Sequence, residues 1–138
     1  MVFLTVFTPA YNRASTLPRT YESLCDQECK EFIWLIVDDG STDETASLVK
    51  EWQKKENGFE IQYIYKKNGG MHTAHNVAYE NIHTELNVCI DSDDRMAKGA
   101  VKKIKTAWLK VRNKNYAGLI GLDADMNTGR IIGKGFPD

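Results

Sequence analysis

Carboxylates crowd two short stretches of this sequence, Asp38-Asp39-Gly40-Ser41-Thr42-Asp43 and Asp91-Ser92-Asp93-Asp94. Like charges packed so closely are costly unless a cation or hydrogen-bond donors compensate them. An all-oxygen donor set favours a hard ion, Mg²⁺ or Mn²⁺, which keeps waters and is completed by substrate phosphates. Aspartates after strands also cap helices and form turns. Asp43 fits that structural role, because the first turn of a helix favours a negative charge. Asp38 and Asp39 fit either role. The three carboxylates of 91–94 exceed what a cap requires and point to a ligand. Three further segments carry polar groups: Thr8-Pro9-Ala10-Tyr11-Asn12-Arg13, Lys66-Lys67-Asn68-Gly69-Gly70, and His72 with His75. The two histidines lack a third ligand nearby, so they read as one helix face that touches a ligand. Lys66 and Lys67 read as solvated surface or as phosphate ligands.

Something must bring these segments together, and the hydrophobic pattern supplies it. Phe3–Thr8, the apolar run Phe32–Val37, Ile61–Tyr65, Leu86–Ile90 and Tyr116–Leu122 have strand length and composition. Between them lie stretches of helical period. Leu17, Tyr21, Leu24 and Cys25 share one face, with Thr16 as the cap. Thr45, Leu48, Val49 and Trp52 form a second stripe behind Ser41-Thr42-Asp43-Glu44, which matches a capping box. Ala74, Val77, Ala78, Asn81 and Ile82 form a third. Val101, Ile104, Trp108 and Val111 form a fourth, with a lysine-rich outer face. Asn127-Thr128-Gly129 suggests a terminal hairpin. Alternating strands and helices, with right-handed crossovers, predict a three-layer α/β/α fold of Rossmann-like type around a mostly parallel sheet. In such sheets ligands bind outside the carboxyl ends of the strands. All the polar segments above fall there.

Composition narrows the function further. The chain has 138 residues, 42% of them hydrophobic, with 18 Lys+Arg against 19 Asp+Glu. That suits one domain with a single core. A net charge of −1 argues against nucleic acid as a partner, since polyanion binding needs an excess of basic residues. No apolar run approaches the roughly 20 residues of a membrane span. The three cysteines, Cys25, Cys29 and Cys89, lack the spacing of a metal site and read as reduced thiols of a cytoplasmic protein.

Four motifs together carry a resemblance. Pro9-Ala10-Tyr11-Asn12-Arg13, Val37-Asp38-Asp39-Gly40-Ser41-Thr42-Asp43, Asn68-Gly69-Gly70 with Ala74 and Asn76, and Asp91-Ser92-Asp93-Asp94 resemble family 2 glycosyltransferases in residues, order and spacing. The resemblance implies the GT-A fold and transfer of a sugar, with inversion, from a nucleotide-diphosphate-sugar to a hydroxyl acceptor on a saccharide or lipid-linked glycan. It places Pro9, Ala10, Tyr11 and Asn12 in the loop lining the nucleoside pocket. Asp39 matches the aspartate that accepts a hydrogen bond from uracil, and Asp38 supports the same loop. Gly70, His75 and Asn76 fall at the donor, where His75 replaces a residue that is often Arg. Asp91 and Ser92 open the acidic run, Asp91 as a supporting residue and not a direct ligand; Asp93 lies near ribose and diphosphate, and Asp94, with Asp93, binds Mg²⁺ or Mn²⁺.

The same resemblance implies what is not expected in residues 1–138. The catalytic base of such enzymes follows the acidic run at a distance, in an acceptor-binding half. Asp123 and Asp125 come too early to match it. The chain therefore reads as a single donor-binding domain of a longer transferase, with the base beyond residue 138, and the parent enzyme could work at a membrane surface. Two other readings compete. A sugar-phosphate nucleotidyltransferase would open with a glycine-rich loop, which Thr8–Asn12 lacks. A non-catalytic Mg²⁺-binding signalling module would place a lone Asp after the third strand, where Lys-Lys-Asn-Gly-Gly stands.

Overall fold

The computed structural model describes residues 1–132. Four strands and four helices alternate: β1 (Leu4–Ala10), α1 (Leu17–Cys25), β2 (Phe32–Asp38), α2 (Thr45–Gln53), β3 (Glu60–Tyr65), α3 (Met71–Asn81), β4 (Leu86–Cys89) and α4 (Ala100–Val111). All strand pairings are parallel, in the order β3-β2-β1-β4. The chain moves outward from β1 to β3 and then crosses back to the other side of β1. The direction of winding therefore reverses between β1 and β4.

Strand alternation sorts the core into two layers. Leu4, Val6, Trp34, Ile36 and Ile61 face one side of the sheet, where Leu17 and Leu24 of α1, Val49 and Trp52 of α2, and Val101 of α4 cover them. Phe7, Leu35 and Val37 face the other side and meet Ala74 and Ala78 of α3. Alanines there allow α3 to lie close to the sheet. Tyr21, Trp34 and Trp52 stack on the larger face, with Tyr21 and Trp52 ring centroids 4.3 Å apart. The Trp34 indole donates to Thr8 Oγ1 at 2.9 Å, so this buried ring leaves no orphan donor.

Three local expectations are corrected. Tyr116–Leu122 forms no strand among the described residues. A strand requires a paired neighbour, and Gly118 and Gly121 weaken any local preference for extended structure. Its side chains stay open, Ile120 being 76% exposed. Ser41 and Glu44 form no capping box. Ser41 Oγ instead accepts the Asn12 backbone N–H at 2.8 Å, and α2 begins one residue after Glu44. Thr16 stands at the N-cap of α1 but makes no side-chain cap bond, and its buried hydroxyl has no partner among the described residues. The Asn127–Gly129 turn does close a hairpin, joined by an antiparallel bridge between Ala124 and Ile131.

The loop after β2 depends on Gly40, which has φ +84°, and a Cβ there would lie 2.7 Å from the Asn68 backbone nitrogen. Gly118 has open space around it. Gly40→Ala should therefore lower unfolding free energy by about 2 kcal/mol or more from left-handed strain plus the clash, while Gly118→Ala should change it by less than about 0.5 kcal/mol. Urea denaturation of the two variants checks the difference.

Candidate functional site

The reversal between β1 and β4 opens a crevice at the carboxyl ends of the strands, where such sheets bind ligands. A cleft of about 360 Å³ lies there, lined by Pro9, Ala10 and Tyr11 after β1, Asp39 after β2, Asn68, Gly70, Met71 and Ala74 around the start of α3, and Asp91, Ser92 and Asp93 after β4. Arg13 completes the wall. The volume suits a small organic ligand.

Asp38 and Asp39 are adjacent, buried carboxylates that face opposite ways. Asp38 accepts the Ser41 N–H at 2.8 Å on Oδ1 and the Tyr63 hydroxyl at 2.6 Å on Oδ2. It holds its own loop, and burial together with this carboxylate pushes the Tyr63 hydroxyl well above its ordinary pKa. Asp39 reaches the loop between β3 and α3. Its Oδ1 accepts from Lys66 Nζ at 2.6 Å and the Gly69 N–H at 3.0 Å, and its Oδ2 accepts from the Gly70 N–H at 2.9 Å. Asn68 Nδ2 donates to the Asp39 backbone carbonyl at 2.9 Å. Burial opposes ionisation of Asp39, but the Lys66 ammonium and the two amides outweigh it and hold the carboxyl below the usual aspartate range.

The acidic run sits across the cleft. One carboxylate oxygen each from Asp91, Asp93 and Asp94 lies within 4.8 Å of the others. Desolvation, followed by the charges of Asp93, Asp91 and Asp123, pushes the Asp94 carboxyl above its ordinary range. Three mutually repelling oxygen donors fit a hard divalent cation in type and number. Asp91 converges with the other two and can serve as a third ligand. The loop is fixed from behind by α1: Thr20 Oγ1 donates to the Asp94 carbonyl, Ser23 Oγ accepts the Met96 N–H, and Gln27 Nε2 donates to the Ala97 carbonyl.

Four expected donor-site residues stand outside the cleft lining. Asn12 Oδ1 accepts the N–H groups of Thr42 and Asp43 at 2.8 and 3.2 Å, latching the β1 loop to the loop before α2. Asp38 is committed as above. His75 packs edge-on against Phe7 at 4.9 Å, and Asn76 is exposed. Asp43 is structural as expected, but it stands two residues before α2 and not in its first turn, taking both the N–H and hydroxyl of Thr45 and the Ala14 N–H. Lys66, expected at the solvated surface or on a phosphate, is the partner of Asp39. Met71, which no motif marks, also lines the wall, as does Arg13, to which the sequence assigns no role of its own. The polar stripe Thr20, Ser23 and Gln27, spaced as a helix face, was the available signal for the support behind the acidic loop.

The sequence pattern that defines "Glycosyl transferase family 2" matches residues 5–131. The chain belongs to glycosyl transferase family 2. The undecaprenyl-phosphate 4-deoxy-4-formamido-L-arabinose transferase of Pseudomonas fluorescens is 31% identical over 94 residues, 66% of this chain and 28% of that protein. The crystal structure of S. aureus TarS superposes with a TM-score of 0.73 at 27% identity, over 80% of this chain and 20% of that one. TarS 1–349 in complex with UDP-GlcNAc gives 0.68 at 27% identity, over 78% and 31%. The fold is thus the GT-A fold of these transferases. The chain spans well under half the length of the curated relatives it matches.

The Asp39 network yields a prediction about acid stability. Since the folded-state pKa is depressed, its contribution is fully present above the unfolded value of about 3.9 and is lost as pH falls through the folded value. Asp39→Asn should therefore destabilise the protein by about 2 kcal/mol at neutral pH, and the gap to the unsubstituted protein should narrow as pH drops below about 4. Denaturation midpoints of both proteins across acid pH measure it.

Proposed function

We propose that this chain is the donor-binding part of a metal-dependent, inverting glycosyltransferase that takes its sugar from a uridine-diphosphate donor. One observation carries the reading: Asp39 and the acidic run stand on opposite walls of one cleft at the strand-order reversal. Asp39 offers an ionised acceptor, which suits the imide N–H of uracil and repels the N3 lone pair of cytosine. Tyr11 and Met71 offer apolar surface for a flat base. The complexes of TarS 1–349 with UDP and with UDP-GlcNAc support the donor class.

In this reading Asp94 and Asp93, with Asp91 beside them, would hold Mg²⁺ or Mn²⁺. A divalent cation there supplies neutralisation of charge on the departing nucleoside diphosphate. The chain's own residues do the rest: Asp39 selects and orients the base, Pro9–Tyr11 shape its pocket, and Thr20, Ser23 and Gln27 keep the acidic loop in place. The acceptor is a hydroxyl of a saccharide or lipid-linked glycan, and the work is done in the reducing cytoplasm, in keeping with three free cysteines. Among the described residues no helix is long and apolar enough to cross a membrane.

Titration calorimetry with UDP, CDP and GDP, each with and without Mn²⁺, tests the assignment. UDP should bind tightest and Mn²⁺ should strengthen it. Asp94→Ala should abolish the Mn²⁺ effect and leave weak metal-independent binding. Equal affinity for the three nucleotides would overturn the uracil reading.

Inversion needs a base on the face of the sugar opposite the leaving diphosphate. Asp91, Asp93 and Asp94 lie on the leaving-group side, and Asp125 is committed to its own turn through the Asn127 and Thr128 N–H groups. Residues 1–138 alone should therefore bind donor and release UDP only slowly to water, whatever hydroxyl acceptor is added. Robust acceptor-dependent release in a turnover assay would place the base within them, with Asp123 the first residue to substitute.

A further inference from the structure

Lys66 donates three times: to Asp39 Oδ1 at 2.6 Å, to the Lys67 carbonyl at 2.7 Å and to Thr73 Oγ1 at 2.7 Å. An ammonium has three protons, so none is left for a phosphate. The Asp39 carboxylate has about four lone-pair directions. Lys66 and the Gly69 amide occupy both on Oδ1, and the Gly70 amide occupies one on Oδ2. A single direction on Oδ2 remains, on a residue that lines the cleft.

That geometry is more than a staple between strand and helix. A carboxylate free to rotate could present either oxygen, and a neutral one could present an O–H donor as well. We propose that Lys66 is a positioning residue for base selection: by fixing the charge and rotation of Asp39, it leaves one ionised acceptor aimed into the cleft and so makes the site choose a pyrimidine imide over cytosine. This rests on the uracil reading above. Lys66 itself touches no part of the nucleotide. Its action passes wholly through Asp39, reinforced by Thr73, whose hydroxyl also donates to the Gly70 carbonyl at 2.6 Å.

Without the ammonium, burial acts on Asp39 against only two amides, and the neutral acid becomes accessible. A carboxylic acid O–H can serve cytosine N3, so discrimination falls even where the loop stays folded. A purely structural Lys66 would weaken both nucleotides alike. The ratio of affinities separates the two roles.

The experiment is calorimetric titration of UDP and CDP, at one pH and one Mn²⁺ concentration, into the unsubstituted protein, Lys66→Met and Lys66→Arg. The unsubstituted protein should prefer UDP by at least about tenfold, in line with the loss of one hydrogen bond to a charged group. Lys66→Met should lose most of that ratio, and Lys66→Arg, which keeps the charge, should keep most of it. An unchanged ratio in Lys66→Met overturns the proposal, as does an equal collapse in both variants, which would assign the effect to packing. If Lys66→Met does not fold, Thr73→Val loosens the ammonium while retaining its charge, and the ratio should fall about two- to threefold, a loss of under 1 kcal/mol. No fall there overturns the proposal too. Equal binding of UDP and CDP by the unsubstituted protein would remove the uracil reading itself, a failure visible before any substitution is made.

Discussion

Two neighbouring aspartates buried at the end of a central strand set the terms for this edge of the molecule. Each unpaired carboxylate would cost several kcal/mol in so dry a place, and side by side they would repel. Strand alternation separates them. Asp38 follows Trp34 and Ile36 toward the face of α1 and α2, where Ser41 and Tyr63 satisfy it. Asp39 follows Leu35 and Val37 toward α3, whose N-cap, Gly70, has no side chain to cap the helix. Asp39, just past β2, instead takes the amides of Gly69 and Gly70 that lead into α3, with its charge near the positive end of the helix dipole. The loops that shape the cleft are held by the same bonds that make the carboxylates tolerable.

The acidic run poses the opposite problem. Among the described residues no ammonium pairs with Asp91, Asp93 or Asp94, and their mutual repulsion is left in place. The loop resists spreading because α1 holds its backbone through Thr20, Ser23 and Gln27, all buried. Gln27 also accepts the Val101 N–H at 3.2 Å, which ties the loop to the start of α4. A satisfied carboxylate orients a fixed scaffold, whereas an unsatisfied cluster on a rigid loop has capacity left for a cation.

The elements that bury a periodic face were legible in the sequence, and so were all four strands of the sheet. Phe32–Val37 could be read as a central strand because it is apolar on both faces, and the α4 stripe because Val101 and Trp108 recur at helical spacing. What could not be read depends on tertiary partners. Tyr116–Leu122 has strand composition but no neighbour to pair with among the described residues. Ser41 matches a cap by local spacing, but the Asn12 amide claims its hydroxyl. The site shows the same division. Clustered carboxylates advertise themselves by type, so the cleft's two acidic walls were visible. Asn12 and His75 carry motif positions, yet their side chains hold loops and core. Lys66 looked like any strand-end lysine, because its partner lies 27 residues away in sequence.

The separation of the two walls bears on what can bridge them. Asp39 follows β2 and the acidic run follows β4, with β1 between them. Two strand spacings amount to about 10 Å. A lone phosphate or a divalent ion with its waters occupies one wall and leaves the other unused. A ligand with a planar imide at one end and a diphosphate at the other reaches both, with its middle over Pro9–Tyr11. Under the proposed reading, sheet topology therefore measures the donor: the reversal that opens the crevice also fixes the length of molecule that engages both the base-selecting carboxylate and the cation-seeking cluster. A nucleotidyltransferase would share the acidic wall. Under the same reading, the wall built from Asp39 and the glycine loop it holds favours a site that takes a finished nucleoside diphosphate by its two ends.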